Sequence, residues 1–106
     1  MSVFEIVKMH AAEDQSDALE RGLAAGVHAI AGHPACGGVR VFRSVEHPDA
    51  FVLVAEWDSV EAHQAYFDSP NSPAFRSHVE GLRDLDRVDV AHYVLVEDAP
   101  GDGGAT

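Results

Sequence analysis

VAEWDSVEAH, Val54 to His63, carries an apolar run onto a tryptophan, passes through Asp58-Ser59, and opens a segment that bears a histidine within two turns. Asp58 and Glu61, three residues apart, have the spacing of a capping box, which satisfies orphan N–H groups where a helix begins. The stretch is therefore a strand-to-helix junction. Upstream, FVLVAEW (51–57) is extended and VRVFRSV (39–45) is extended, and EHPDA between them breaks the run with Pro48, so the pair reads as a hairpin. Downstream, a short helix over roughly 59–68 ends near SPNSP, and Ser72-Pro73 repeats a start signal of N-cap then first-turn proline. Phe75, Val79 and Leu82 mark a helical face that carries this second helix to about Leu85, and VDVAHYVLV (88–96) is a final strand.

Toward the N-terminus, SVFEIVKM (2–9) has the β-branched and aromatic content of a strand, bounded by the polar EDQSD. From Ser16, Leu19, Leu23, Val27 and Ile30 recur on one helical stripe, with Ser16 or Asp14 as its cap. GHPACGG stops that helix and supplies flexible backbone before Val39. The resulting order, β-α-β-β-α(α)-β, is the split βαβ pattern of an α+β, ferredoxin-like domain: an antiparallel four-stranded sheet with its helices on one face. FVLVAEW and VDVAHYVLV are apolar on both parities, yet helices cover one side only. The uncovered side calls for a second apolar layer, and a two-fold homodimer packed sheet to sheet supplies it.

The 106 residues hold 18 acidic and seven Lys or Arg side chains, a formal charge of −11, which disfavours nucleic acid and anionic membrane surfaces as partners. No apolar run approaches the ~20 residues of a membrane span, and MSVFEIVKMH has no signal-peptide character, so a soluble, cytoplasmic protein is expected. Cys36, the one cysteine, excludes an internal disulfide and reads as a small apolar filler. His10, His28, His33, His47 and His78 show no ligand spacing, and no metal site is expected.

The run EHPDAFVLVAEWDSVEAHQAYFDSP, with HPACGGVRVFRS before it and PAFRSH after it, resembles the antibiotic biosynthesis monooxygenase family across residues 3–96. The resemblance implies a dimeric α+β barrel, with the domain expected over residues 1–97; the polar, glycine-rich stretch 98–106 is expected to be a flexible tail. It also implies a pocket between sheet and helices for a small aromatic substrate. Some members are oxygenases that need no cofactor, in which a substrate carbanion passes an electron to molecular oxygen; others degrade haem, and others have no assigned activity. Both catalytic branches use a pocket asparagine, whereas the only asparagine here is Asn71 in the loop between helices. The haem-degrading branch has an axial histidine about ten residues after its tryptophan, where this chain has Phe67.

Within that frame the expected catalytic set is His63, Trp57 and His92. Trp57 reads either as a cavity wall with an N–H for a substrate oxygen or as a core aromatic. His63 falls on the helix side of Val60 and Phe67, facing inward, as a base near neutral pH or as a bridge between elements. His92 shares parity with Val90 and Val94, as a second base or a dimer-interface residue. Tyr66, Phe67 and Phe75 are expected to floor the cavity or simply fill the core. Arg40 and Arg43 have opposite parities, with surface ion pairing as the default. The expected activity is cofactor-free oxidation of an anthrone or phenol to a quinone. A polyketide cyclase or a small-aromatic binding protein is the alternative, and a pocketless structural dimer is the third.

Overall fold

The computed structural model describes residues 2–70 and 72–105, the side chains of Gly104 and Ala105 excepted; Asn71 lies outside the described residues. Four strands, β1 (Val3–His10), β2 (Cys36–Arg43), β3 (Ala50–Trp57) and β4 (Asp89–Tyr93), form one antiparallel sheet in the order β2-β3-β1-β4. Helices α1 (Ser16–Ala31), α2 (Val60–Phe67) and α3 (Ser72–Val79) cover one face, and Asp102–Ala105 makes a short 3-10 turn in the C-terminal tail. This is the ferredoxin-like α+β arrangement that the sequence predicts.

Strand alternation divides the residues between the faces. On the helix side, Val7 and Met9 of β1 and Phe51, Leu53, Ala55 and Trp57 of β3 are buried, and Leu19, Leu23 and Ile30 of α1 and Val79 of α3 close the core over them. The α1 stripe includes the buried Gly26, where an added Cβ would lie 3.1 Å from His78 Cβ and 3.2 Å from Phe75 Cδ1; α1 and α3 approach closely because that side chain is absent.

Several boundaries differ from the sequence reading, each for a visible reason. Neither Ser16 nor Asp14 caps α1: Ser16 is its first residue, Gln15 sits at the N-cap without a side-chain bond, and Asp14 adopts φ 63°, a left-handed turn that aspartate tolerates. Ser59, not Asp58, caps α2, its side chain accepting from Ala62 N at 3.0 Å. The Gly37-Gly38 pair lies inside β2 as a register shift, with Gly38 at φ 143°. Helix α3 stops at Val79 because Gly81 turns left-handed (φ 77°), after which the chain runs back beside the end of β1, Ala12 N donating to Leu82 O at 2.9 Å and Asp84 N to His10 O at 2.9 Å. Strand β4 stops at Tyr93, which pairs with Phe4; β1 begins one residue before Phe4, so Leu95 and Val96 run past its first residue. No helix among the described residues is long and apolar enough to cross a membrane.

Candidate functional site

A cavity of about 240 Å³ opens between the helix-side face of the sheet and helices α2 and α3. Trp57, His63, Tyr66, Phe67 and Phe75 line it, so the third reading of the sequence, a helix–sheet space filled by Phe67, Phe75 and Leu82, does not hold. Trp57, 1% exposed, is a wall. His63 stacks on it with ring centroids 5.1 Å apart and planes at 23°, and Tyr66 leans on its other edge at 5.3 Å. On α2 the inward stripe is therefore His63 with Tyr66; Val60 and Phe67 are largely exposed, and Phe67 forms the cavity's rim rather than its floor. His33 meets both Trp57 and Tyr66 edge-on, at 5.8 and 5.4 Å.

Glu5 organises the polar side of this wall. Its position on β1 alternates with Phe4 and Ile6 and shares the helix face with Val7 and Met9, a polar residue on the buried parity. Trp57 Nε1 donates to Glu5 Oε1 at 3.0 Å, so the indole N–H expected to meet substrate is already engaged. His63 Nε2 lies 3.3 Å from the same oxygen, both side chains being mostly buried (14% and 12% exposed). His63 Nδ1 contacts Nε2 of His92 at 2.7 Å, and His92 stands opposite Glu5 in the β1–β4 register. His92 is exposed and outside the cavity lining, reaching the site through His63. Glu5, His63 and His92 thus form a line from cavity to solvent.

Burial pushes the His63 pKa down; the Glu5 carboxylate opposes that shift, and His92 adds to it. The neutral ring then carries its proton on Nε2, because a lone pair there would face the carboxylate oxygen, and Nδ1 accepts from His92. Arg76, Arg83 and Ser72 also line the cavity, and Tyr66 stands between them and Trp57, its phenol held above its ordinary pKa by burial, with Glu5 adding to the rise. Arg76 also lies over the Phe67 ring at 5.7 Å. Among the described residues, the Tyr66 hydroxyl and Arg83 Nε are buried without a hydrogen-bond partner. Burial and the neighbouring Arg76 hold Arg83 below the usual arginine pKa.

Among the described residues no group of three His, Cys, Asp or Glu is placed to hold a metal ion; Glu5, His63 and His92 stand in series rather than converging. Arg43 is away from the cavity, paired with Asp17 at 3.0 Å and Glu20 at 3.2 Å, and Arg40 is exposed. Of the functional groups, sequence reasoning passed over Glu5, His33, Arg76 and Arg83. Glu5 was detectable as the one charged residue on the apolar parity of β1. Arg83 was not, because its placement depends on where α3 stops.

The model of the antibiotic biosynthesis monooxygenase family matches residues 2–81. A Mycobacterium tuberculosis heme oxygenase (mycobilin-producing) is 32% identical over 76 residues, covering 69% of this chain and 72% of that protein. A putative antibiotic biosynthesis monooxygenase from Bordetella bronchiseptica superposes with a TM-score of 0.82 at 24% identity, covering 91% of this chain and 98% of its own. SnoaB, a cofactor-independent oxygenase from Streptomyces nogalater, superposes with a TM-score of 0.79 at 13% identity, covering 94% of this chain and 98% of its own. With most of its length matched by that family's model and its fold shared, this chain belongs to the antibiotic biosynthesis monooxygenase family.

Proposed function

We propose that the protein is a cofactor-independent monooxygenase that oxidises a compact aromatic of polyketide type, an anthrone or phenol, to the quinone, with molecular oxygen as co-substrate. The observation that carries this reading is the Glu5–His63–His92 line, which links an apolar, Trp57-walled cavity to solvent. Such a cavity binds a flat ring and excludes water, and the line manages the proton that the ring must lose.

The chemistry balances without a cofactor. Glu5 takes a proton from the acidic ring carbon, the resulting carbanion passes one electron to O2, and the radical pair recombines as a peroxide. Glu5 returns its proton to the outer peroxide oxygen, and loss of the second hydrogen from the same carbon as the O–O bond breaks gives the ring carbonyl and one water. Glu5, rather than His63, is the first acceptor in this scheme, because both nitrogens of His63 are engaged. His63 keeps its proton on Nε2 toward Glu5 and accepts from His92 on Nδ1, which holds the carboxylate in place beside the cavity. Glu5 is the proposed base; His63 and His92 position it.

The Mycobacterium tuberculosis relative is named for haem breakdown, and the residues here do not fit that group. His63 is the one imidazole lining the cavity among the described residues, and neither of its nitrogens is free to ligate iron. The cavity volume, about 240 Å³, also falls below the ~300–1,000 Å³ typical of sites enclosing drug-sized ligands.

Oxygen uptake with anthrone tests the reading. The purified protein should consume one O2 per anthrone, and Glu5→Gln should slow turnover by about 10²–10⁴-fold. Undiminished turnover under nitrogen would indicate cyclisation instead, and a wild-type rate in Glu5→Gln would remove the carboxylate from the mechanism.

A further inference from the structure

The cavity is polar at both ends, and only one end is internally satisfied. Near Trp57, the indole N–H and both His63 nitrogens have partners. Further along, the Tyr66 ring packs against Trp57 but its hydroxyl is buried and unpartnered, and Arg83 Nε is buried and unpartnered, among the described residues. Arg76 lines the same cavity, and no described carboxylate lies within ion-pair distance of either arginine. In a chain with 18 acidic residues against seven basic ones, two guanidinium groups beside one cavity without a carboxylate partner are not a consequence of composition. A buried donor without an acceptor costs free energy that folding alone does not recover. Arg83 Nε can only donate and the Tyr66 hydroxyl can donate, so one acceptor completes both, and the positive field of two arginines selects an anionic one.

Backbone geometry fixes where this subsite sits. Arg83 bridges Ala11 at the end of β1, while Glu5 lies six residues back along the same strand, about 20 Å of extended chain. The arginine side chain spans part of that distance to reach the cavity, where Met9 and Val88 lie beside it. A ligand that fills the space therefore presents its reacting ring to Glu5 and Trp57 and a separate anionic group to the opposite end.

We propose that Tyr66, Arg76 and Arg83 form a carboxylate subsite, and that the natural substrate is a compact aromatic acid whose carboxylate is held there while its ring lies against Trp57. The proposal deepens the oxygenase reading and rests on it for the role of the ring, but the selectivity for a carboxylate is a binding property that exists with or without turnover.

Trp57 is the only tryptophan in the chain, so its fluorescence reports occupancy of the cavity directly. The test titrates the full chain with 2-naphthoate and with the neutral, nearly isosteric 2-naphthamide, and confirms affinities by calorimetry. The acid should bind at least about tenfold more tightly than the amide, the effect of one charge-assisted contact made in a desolvated site. Arg83→Met should abolish that preference by weakening the acid far more than the amide, and Tyr66→Phe should weaken the acid by several-fold. Each substitution removes an unpartnered buried polar group, so each variant should melt at or above the wild-type temperature; Arg83→Gln serves if the methionine variant does not fold. Equal affinities for acid and amide, a preference that survives loss of Arg83, or binding of neither by folded protein would overturn the proposal. Absence of oxygen uptake with a correct acid preference would instead overturn only the oxygenase reading.

Discussion

His63 is held between partners that act on its charge in opposite directions. Burial disfavours the imidazolium form most strongly, the Glu5 carboxylate favours it, and His92 opposes it again, leaving the pKa lowered. The sign of the consequence follows from linkage. In the unfolded chain the ring titrates near ~6.5, and in the folded protein it titrates lower, so between these values the unfolded state binds more protons. The contribution of neutral His63 to stability is full above the unfolded value and is lost as pH falls through the folded one. Melting temperatures measured from pH 7.5 to 5 should therefore drop more steeply for the wild type than for His63→Gln, whose side chain does not titrate. Parallel curves would mean that burial of this ring does not oppose its protonation. Catalysis should lose rate over the same acidic window, because a charged His63 draws the Glu5 carboxylate into an ion pair and weakens it as a base.

Helix α1 depends on what its glycines lack. A Cβ at Gly22 would run into the His78 carbonyl oxygen of α3, and one at Gly26 would press on Phe75 and His78. Alanine normally stabilises a helix interior by ~1 kcal/mol over glycine, so Gly22→Ala pits propensity against overpacking that typically costs ~1–3 kcal/mol. Backbone cannot rotate aside as a side chain can, and overpacking wins. Gly22→Ala should lower stability by about 1–2 kcal/mol in urea unfolding, and because α3 carries Phe75 and Arg76 into the cavity, it should also weaken ligand binding. A stabilised variant would show that α3 yields without cost. The glycine contact is one of the features that the sequence did not display: periodicity marks Leu19, Leu23 and Ile30 as the α1 stripe but says nothing about which partner lies over Gly22. The same limit applies to the ends of α3 and β4. The apolar spacing of Phe75, Val79 and Leu82 continues past the point where Gly81 turns, and VDVAHYVLV has strand character beyond the residue where β1 ceases to accompany it. Trp57, His63 and Tyr66 were legible because the strand-to-helix junction orients them locally, whereas Arg83 enters the site through a tertiary return that no local pattern encodes.

Across the whole molecule, the sheet is finished on one side only. The face away from the helices carries Phe4, Ile6, Val52 and Val54 at half burial, with Phe42 and Tyr93 about half exposed beside them (52% and 47%), and Val94, Leu95 and Val96 follow in the open at its edge. Phe4 pairs with Tyr93 and Glu56, and Val52 with Phe42, so these side chains form a contiguous apolar surface rather than scattered residues. A surface of this kind is uncommon on a monomer, and a second copy presents the same surface under a two-fold axis. The faces expected from parity in FVLVAEW and VDVAHYVLV are those observed, and the homodimer is our proposal for what covers the open one. Val54 lies near its centre, between Ile6 and Arg40 in the register. Val54→Asp would bring two carboxylates, one from each copy, into a desolvated sheet-to-sheet contact, yet in a single chain it adds only a charge on a water-facing strand position. Sedimentation velocity should show a dimer for the wild type and a folded monomer for Val54→Asp, with dimer affinity reduced by at least about 100-fold, equivalent to about 3 kcal/mol. The cavity opens on the opposite face, so the monomeric variant should retain the preference for naphthoate over naphthamide. A wild type that sediments as a monomer, or a Val54→Asp variant that stays dimeric, would mean that the open sheet face is not the contact between copies.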